Sequence, residues 1–276
     1  MTETQQDVRT ARVPAARAAP ALTGARLAEL LGLLKGAQSV ELKLSVPDAG
    51  LRSAAVSLGM DPLDAELRQV CFFDTPDLAL NRSGLVVRAR RIQRKPGDAV
   101  VKLRPVDPAA LPAGVPGPAE GLGIEVDAMP GGFVCSGTLK AKVEDPRIRA
   151  TWSGDRPLRK LFTKQQRAFY SAVAPDGLTM DDLSPLGPVN VLKLKFVPAD
   201  LGRRMVAELW LYPNGSRILE LSTKCLPPEA FDVAAETKSY LMSHGIDLAG
   251  QQQTKTKAAL NYFAKRLQPR SEDVES

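Results

Sequence analysis

Six short segments of this chain alternate charged and aliphatic residues with a period of two, and no other feature limits its fold as much. Side chains two apart on a strand share a face, so each segment reads as a strand with one charged and one aliphatic face. Glu41 and Lys43 stand opposite Val40, Leu42 and Leu44. Arg88 and Arg90 stand opposite Leu85, Val87 and Ala89, and Lys102 and Arg104 opposite Val101 and Leu103. Further along, Glu125 and Asp127 oppose Ile124 and Val126, and Lys193 and Lys195 oppose Leu192, Leu194 and Phe196. In the last segment Glu220, Ser222 and Lys224 oppose Leu219 and Leu221.

Alternation by itself also describes a half-buried antiparallel sheet whose outer face meets water. The make-up of the charged face favours a different arrangement. It mixes Arg and Lys with carboxylates and has few of the Thr and Ser residues usual on wet sheets. Closing such a sheet into a barrel puts one face inside. A lumen lined by both signs can hold a polyanion and its metal ions, and helices over the aliphatic face would complete the core. Phosphoryl and nucleotidyl transfer need that mixture. Arg grips phosphate oxygens with a bidentate fork, and carboxylate oxygens hold hard ions such as Mg²⁺ or Mn²⁺.

The rest of the chain is read around these strands. Residues 22–36 have helical periodicity, with Leu27, Leu30, Leu31 and Leu34 on one side and Gly36 as a stop. Pro47 and Asp48 open a short helix ended by Gly59, and residues 69–73 form a strand before the turn DTPD. Residues 105–123, rich in Pro, Gly and Ala, read as a mobile loop. Residues 160–173 and 187–197 are predicted to be strands, 198–210 a helix led by Pro198, 217–225 a strand, and 232–243 and 254–267 helices. Strands with few helices between them favour an antiparallel α+β fold over a doubly wound sheet. A single domain is expected over 22–267, with disordered tails at 1–21 and 268–276.

Several functions are disfavoured. No run approaches the roughly 18 apolar residues of a membrane span, so no membrane is expected as a partner. The first twenty residues lack an apolar secretory core and read as an Ala/Arg/Pro tail, which makes the cytoplasm the expected compartment. Cys71, Cys135 and Cys225 are far apart with no CxxC pair, which argues against a zinc site or disulfide framework. His244, the one histidine, sits at a predicted helix C-terminus, where it can cap the dipole. The net charge of +6 suits an anionic ligand, while 5% aromatics gives little for bases to stack on, so no nucleic acid is expected as a partner.

The segment FFDTPDLALNRSGLVVRARR, residues 72–91, resembles the CYTH family of triphosphate tunnel enzymes. That family has an aromatic residue, FDTPD, a leucine-rich link, a glycine and an RxR strand, and the spacing here is intact. AVVKLRP at 99–105 looks like its next strand, and a coarser resemblance runs from about Ser39 to Cys225. The resemblance implies an eight-stranded antiparallel β-tunnel with helices packed outside, basic residues on the triphosphate and acidic residues on a divalent metal. Its members include inorganic and thiamine triphosphatases, RNA triphosphatases and class IV adenylate cyclases. VLKLKFVPADLGRRMVAELW followed by ELSTKC looks closer to the related polyphosphate polymerase domain of the vacuolar transporter chaperone complex.

The residues expected to bind phosphate are Lys43, Arg88, Arg90, Lys102, Arg104, Arg167, Lys193, Lys195 and Lys224, of which the resemblance itself carries over Arg88, Arg90, Lys102, Arg167 and Lys224. It assigns Glu41, Glu125, Asp127, Asp181 and Glu220 to a Mg²⁺ or Mn²⁺ site. The match is uneven. The opening ExExK motif appears as Ser39, Glu41 and Lys43, without its first glutamate, and Lys193 and Lys195 stand where late-strand glutamates are usual. The expected function is binding of a triphosphate, polyphosphate or nucleoside triphosphate, with metal-dependent hydrolysis or phosphotransfer. The alternative is a module that binds the same anions with impaired catalysis.

Overall fold

The computed structural model describes residues 23–248 and 254–267. The expected tails at 1–21 and 268–276 lie outside the described residues. The strands are β1 (Ser39–Val46), β2 (Glu66–Asp74), β3 (Leu85–Ile92), β4 (Lys95–Leu103), β5 (Gly123–Met129), β6 (Gly132–Val143), β7 (Ser184–Phe196), β8 (Met205–Leu211) and β9 (Arg217–Cys225). The helices are α1 (Gly24–Gly36), α2 (Leu51–Ser57), α3 (Ala79–Arg82), α4 (Asp145–Trp152), α5 (Lys164–Val173), α6 (Ala230–Ser243) and α7 (Lys255–Leu267). No described helix is long and apolar enough to cross a membrane.

The strands close into one barrel in the order β1-β5-β6-β4-β3-β2-β7-β8-β9, with β9 returning to β1. This corrects the expected eight antiparallel strands. Among the described residues there are nine, and β1 runs parallel to β5, with Ser39 opposite Glu125 and Glu41 opposite Asp127. Parallel neighbours need a long connection, and here the whole β2–β4 meander lies between them.

Three segments account for the difference. Residues 160–173 are helical because Thr163 and Gln166 form a reciprocal cap and Gln166, Phe169 and Tyr170 bury one helical face. The Gln166 amide then ties α5 to the barrel wall by donating to the Ala99 and Leu139 carbonyls at 2.9 and 3.1 Å. Residues 205–211 form a strand rather than the end of a helix. The signal is the Asn214–Gly215 turn that follows, since Asn-Gly is a hairpin signature. Strand β6, the hairpin partner of β5, lies outside the strands expected from the sequence.

The FDTPD segment turns out to be an anchor for the turn. Asp74 is buried, and its carboxylate accepts from the backbone N–H groups of Thr75, Leu80 and Asn81 at 2.8–3.0 Å. Gly84, at φ +75°, abuts the Arg104 backbone so closely that a Cβ would overlap the Arg104 carbonyl oxygen. The glycine before the RxR strand is therefore required by both backbone angle and space.

Paired residues in adjacent strands lie on the same side of a sheet, so register alone fixes the inner face. Glu41 pairs with Lys224, Val206 with Ser222, and Glu208 with both Glu220 and Lys193. On the other side Glu66 pairs with Lys193, Val70 with Arg90, Arg90 with Asp98, Lys102 with Thr138, and Glu125 with Ser136. The alternate residues point outward into an aliphatic layer. Val87, Val101, Val126 and Leu139 pack with Leu34 of α1, Ile148 of α4 and Phe169 of α5. Leu44, Leu194, Met205 and Leu221 pack with Tyr240 and Leu241 of α6. The 105–123 loop takes part in this core through Val106 and Leu122, with Leu111 and Val115 packed against it. His244 caps α6 as expected, its ring Nδ1 2.9 Å from the Tyr240 carbonyl oxygen.

Candidate functional site: the charged lumen

The centre of the lumen is a network of alternating charge. Glu41, Glu125 and Asp127 each offer a carboxylate oxygen, and the three oxygens lie within 4.8 Å of one another. The parallel pairing of β1 with β5 brings them together. Lys43 Nζ bridges Glu41 at 3.0 Å and Asp127 at 2.7 Å, and Lys102 reaches Asp127 at 3.2 Å. Lys224 pairs with Glu125, which also accepts from the Ser39 hydroxyl at 3.1 Å. Ser39 thus sits beside the site where the resemblance places a glutamate.

Burial opposes every charge here, and the partners decide the outcome. For Asp127, 2% exposed, burial pushes the carboxyl pKa up, but Lys43 and Lys102 outweigh it and bring it down to about 2. Glu41 is held below its ordinary range in the same way, by Lys43 and Lys224 against burial. Lys43 is raised, because Asp127 and Glu41 outweigh its burial. Lys102 is lowered, because burial and the nearby Lys43 and Arg88 prevail over Asp127.

The two arginines of the RxR strand are not equivalent. Arg90 holds Asp98 with Nε at 2.9 Å and Nη2 at 2.6 Å, and Lys140 adds a contact to the same carboxylate at 3.3 Å. Asp98 raises the Arg90 pKa against burial. Arg88 has no such partner: its buried Nε makes no hydrogen bond. Burial, reinforced by Arg90, lowers its pKa to about 10. Arg104, just beyond β4, is also lowered by burial, with Asp127 pulling the other way.

Deeper in the barrel a second group is balanced internally. Lys193 meets Glu208 at 2.7 Å, and Lys255, from the first turn of α7, meets both Glu208 and Glu220, the latter at 2.7 Å. Burial opposes the Glu208 charge, but Lys255 and Lys193 hold its carboxyl well below the ordinary value. Glu208 lies in β8, within the segment expected to be helical, and Lys255 carries no sequence signal because it reaches the lumen only through α7 packing. The alternation of Val206, Glu208 and Trp210 was the clue to Glu208.

The lumen therefore gathers Lys43, Arg88, Arg90, Lys102, Lys193, Lys224 and the carboxylates Glu41, Glu125, Asp127 and Glu220 on one inner face. Arg104 approaches the same group. Lys195 has the inward register but is exposed at the barrel rim. Two residues lie elsewhere. Arg167 sits on outer helix α5, where Nη1 donates to the Phe162 carbonyl at 2.7 Å. Asp181 accepts from the Arg159 backbone N–H at 3.0 Å and pairs with the Arg159 side chain, outside the barrel. Glu220 pairs with Lys255 and is not one of the three clustered carboxylates.

Three close carboxylates suit a hard divalent ion, so this donor set fits Mg²⁺ or Mn²⁺. The cysteines offer no alternative. All three are buried free thiols, and burial pushes Cys135 up to about 11.

No family model matches the sequence, and no curated protein does. Solved structures do. One is a candidate adenylyl cyclase from Hippeastrum with a dominant triphosphatase activity, at TM-score 0.60 and 14% identity, covering 80% of this chain and 95% of that one. Another is a candidate adenylate cyclase from Bacillus halodurans, at TM-score 0.55 and 12% identity, covering 80% and 97%. At these identities the likeness is one of fold, and the chain shares the barrel fold of these two proteins.

Proposed function

We propose that the lumen binds the triphosphate end of a phosphate compound and, with a divalent metal, hydrolyses or transfers a phosphoryl group. The observation that carries this reading is Arg88, half-buried on the inner face, whose buried Nε makes no hydrogen bond. A buried charge without a partner is costly, and a phosphate oxygen is the partner it lacks.

The charge balance supports the same reading. At rest Lys43, Lys102 and Lys224 neutralise Glu41, Asp127 and Glu125, leaving Arg88 and Arg104 in excess. Glu41, Glu125 and Asp127 would hold the metal, whose chemistry is to polarise a phosphoryl oxygen and orient the attacking group. The three lysines are then free to turn to phosphate oxygens beside Arg88 and Arg104. Arg90 is fixed on Asp98 and is not available to the phosphate in the same way as Arg88.

Of the reactions open to such a site, triphosphate hydrolysis asks least of the protein, since it requires no base pocket. It is also the dominant activity of the Hippeastrum protein of the same fold. A second reading, a module that binds without turnover, is favoured by one observation: each carboxylate of the cluster already has a lysine. Phosphate release from tripolyphosphate, ATP and thiamine triphosphate, with Mg²⁺ or Mn²⁺ and with chelator, separates the two. Metal-dependent release supports the enzyme, ligand-induced thermal stabilisation without release supports the module, and neither effect refutes both.

A further inference from the structure

Protein interiors are packed as closely as organic crystals, and the layer between α6 and the barrel departs from that rule. A cavity of about 370 Å³ lies there, against the outer side of β1 and β9. Its walls are apolar: Leu42 and Leu44 of β1, Met205 of β8, Leu221 of β9, Leu241 of α6 and, beyond that helix, Leu248. Met129 and Pro130, where β5 turns into β6, line it too. The volume falls at the lower end of the range for small-molecule sites, roughly 300–1,000 Å³.

Two polar groups of α6 decide what such a cavity can take. Thr237 lines it, is only 8% exposed, and its hydroxyl has no hydrogen-bond partner among the described residues. An unpaired buried hydroxyl is costly, and a helical threonine can avoid that cost by bonding to the carbonyl four residues back. Thr223, on the facing strand, is satisfied: its hydroxyl donates to the Arg204 carbonyl at 2.9 Å. The residue after Thr237, Lys238, also lines the cavity and is exposed, so a cation stands at its mouth.

We infer that this cavity binds a medium-length acyl carboxylate. The chain lies among the leucine and methionine side chains, and the carboxylate pairs with Lys238 and accepts from the Thr237 hydroxyl. A hydrocarbon alone would fill the space and leave the hydroxyl unpaired. A phosphate or a sugar would lose water against Leu42, Leu44 and Leu221 with no hydrogen bond in return. The site is distinct from the lumen: Leu42 pairs with Thr223 on the outer side of the β1–β9 wall, whereas Glu41 pairs with Lys224 on the inner side. It therefore stands whatever the lumen binds.

The test uses decanoate, titrated into the full chain by calorimetry alone and with excess tripolyphosphate. Decyltrimethylammonium, with the same chain and the opposite charge, is the control. One decanoate per protein is expected, undisturbed by tripolyphosphate, with the cation binding at least 10-fold more weakly. Thr237→Val keeps the shape and removes the hydroxyl. The free variant should melt at the same temperature or higher, while its affinity for decanoate falls roughly 10- to 150-fold, the value of a hydrogen bond to a charged group. Lys238→Glu, at an exposed position, should weaken decanoate by a similar factor and leave the melt unchanged. Absence of decanoate binding, equal binding of the two amphiphiles, displacement by tripolyphosphate, or an affinity that either variant leaves unchanged would each overturn the proposal. A strongly lowered melting temperature for Thr237→Val would show that the hydroxyl is already used in the free protein, and would overturn it as well.

Discussion

Replacing Arg88 and Arg90 singly with Ala should give crossed results. Arg88 is a half-buried cation with no hydrogen-bond partner at its buried Nε, its pKa lowered to about 10 by burial and by Arg90. From the ordinary 12.5, that shift corresponds to roughly 3 kcal/mol of strain on the charged form. Arg88→Ala removes this strain along with the packing of the side-chain stem, so the free protein should melt at the same temperature or higher. Its loss should nonetheless weaken tripolyphosphate binding by about 1.5–3 kcal/mol, the value of a hydrogen bond to a charged group, or roughly 10- to 150-fold in Kd.

Arg90→Ala should do the opposite. It strips a bidentate partner from Asp98, a carboxylate only 2% exposed, and leaves it with Lys140 alone. Breaking a buried pair by removing one member costs about 3–5 kcal/mol, and binding should suffer less than in Arg88→Ala. Thermal melts of the free proteins and calorimetry with tripolyphosphate read the two effects separately. If Arg88→Ala destabilises the free protein strongly and leaves affinity unchanged, the claim that its charge awaits an anion is wrong.

Three further outcomes are expected. Asp127→Asn should abolish Mn²⁺ binding and phosphate release yet keep or strengthen metal-free tripolyphosphate binding, because one repelling charge is gone; equal loss of metal and anion binding would contradict this. The Asp127 carboxyl sits at about 2 in the fold against 3.8 ordinarily, so it contributes roughly 2 kcal/mol that is present above pH 4 and lost as pH falls towards 2; in acid titrations Asp127→Asn should lack that portion of the loss. Lys255→Met leaves Glu208 and Glu220 with Lys193 alone, which should destabilise the fold by about 3 kcal/mol at neutral pH. Lowering the pH towards 5 should restore part of that stability in the variant by protonating a carboxylate, and a deficit independent of pH would argue against the ion triad.

Much of this architecture is legible in the sequence, because a half-apolar strand leaves a period-two record wherever it runs. All six segments that show it are barrel strands, and the aliphatic face lies under helices. What the pattern leaves out has physical causes. Strand β6, GFVCSGTLKAKV, carries small and mixed residues on its inner face, so its alternation is weak. Strand β8 follows a proline-led turn whose composition suits a helix, and only pairing with β7 and β9 settles its form. The parallel contact of β1 with β5 depends on barrel closure, which no local signal encodes. The same holds within the lumen. Strand alternation placed Glu41, Arg88 and Asp127 on an inner face, but the division between engaged Arg90 and unpaired Arg88 arises from Asp98, across a hairpin.

The most direct test of the central claim is a crystal structure of the protein with tripolyphosphate and Mn²⁺, with data collected at the manganese absorption edge. The account predicts an anomalous peak within coordination distance of Glu41, Glu125 and Asp127, with phosphate oxygens against the Arg88 and Arg104 guanidinium groups. Tripolyphosphate bound outside the barrel, or a lumen in which Lys43, Lys102 and Lys224 keep their carboxylate partners while saturating ligand and metal are present, would contradict it.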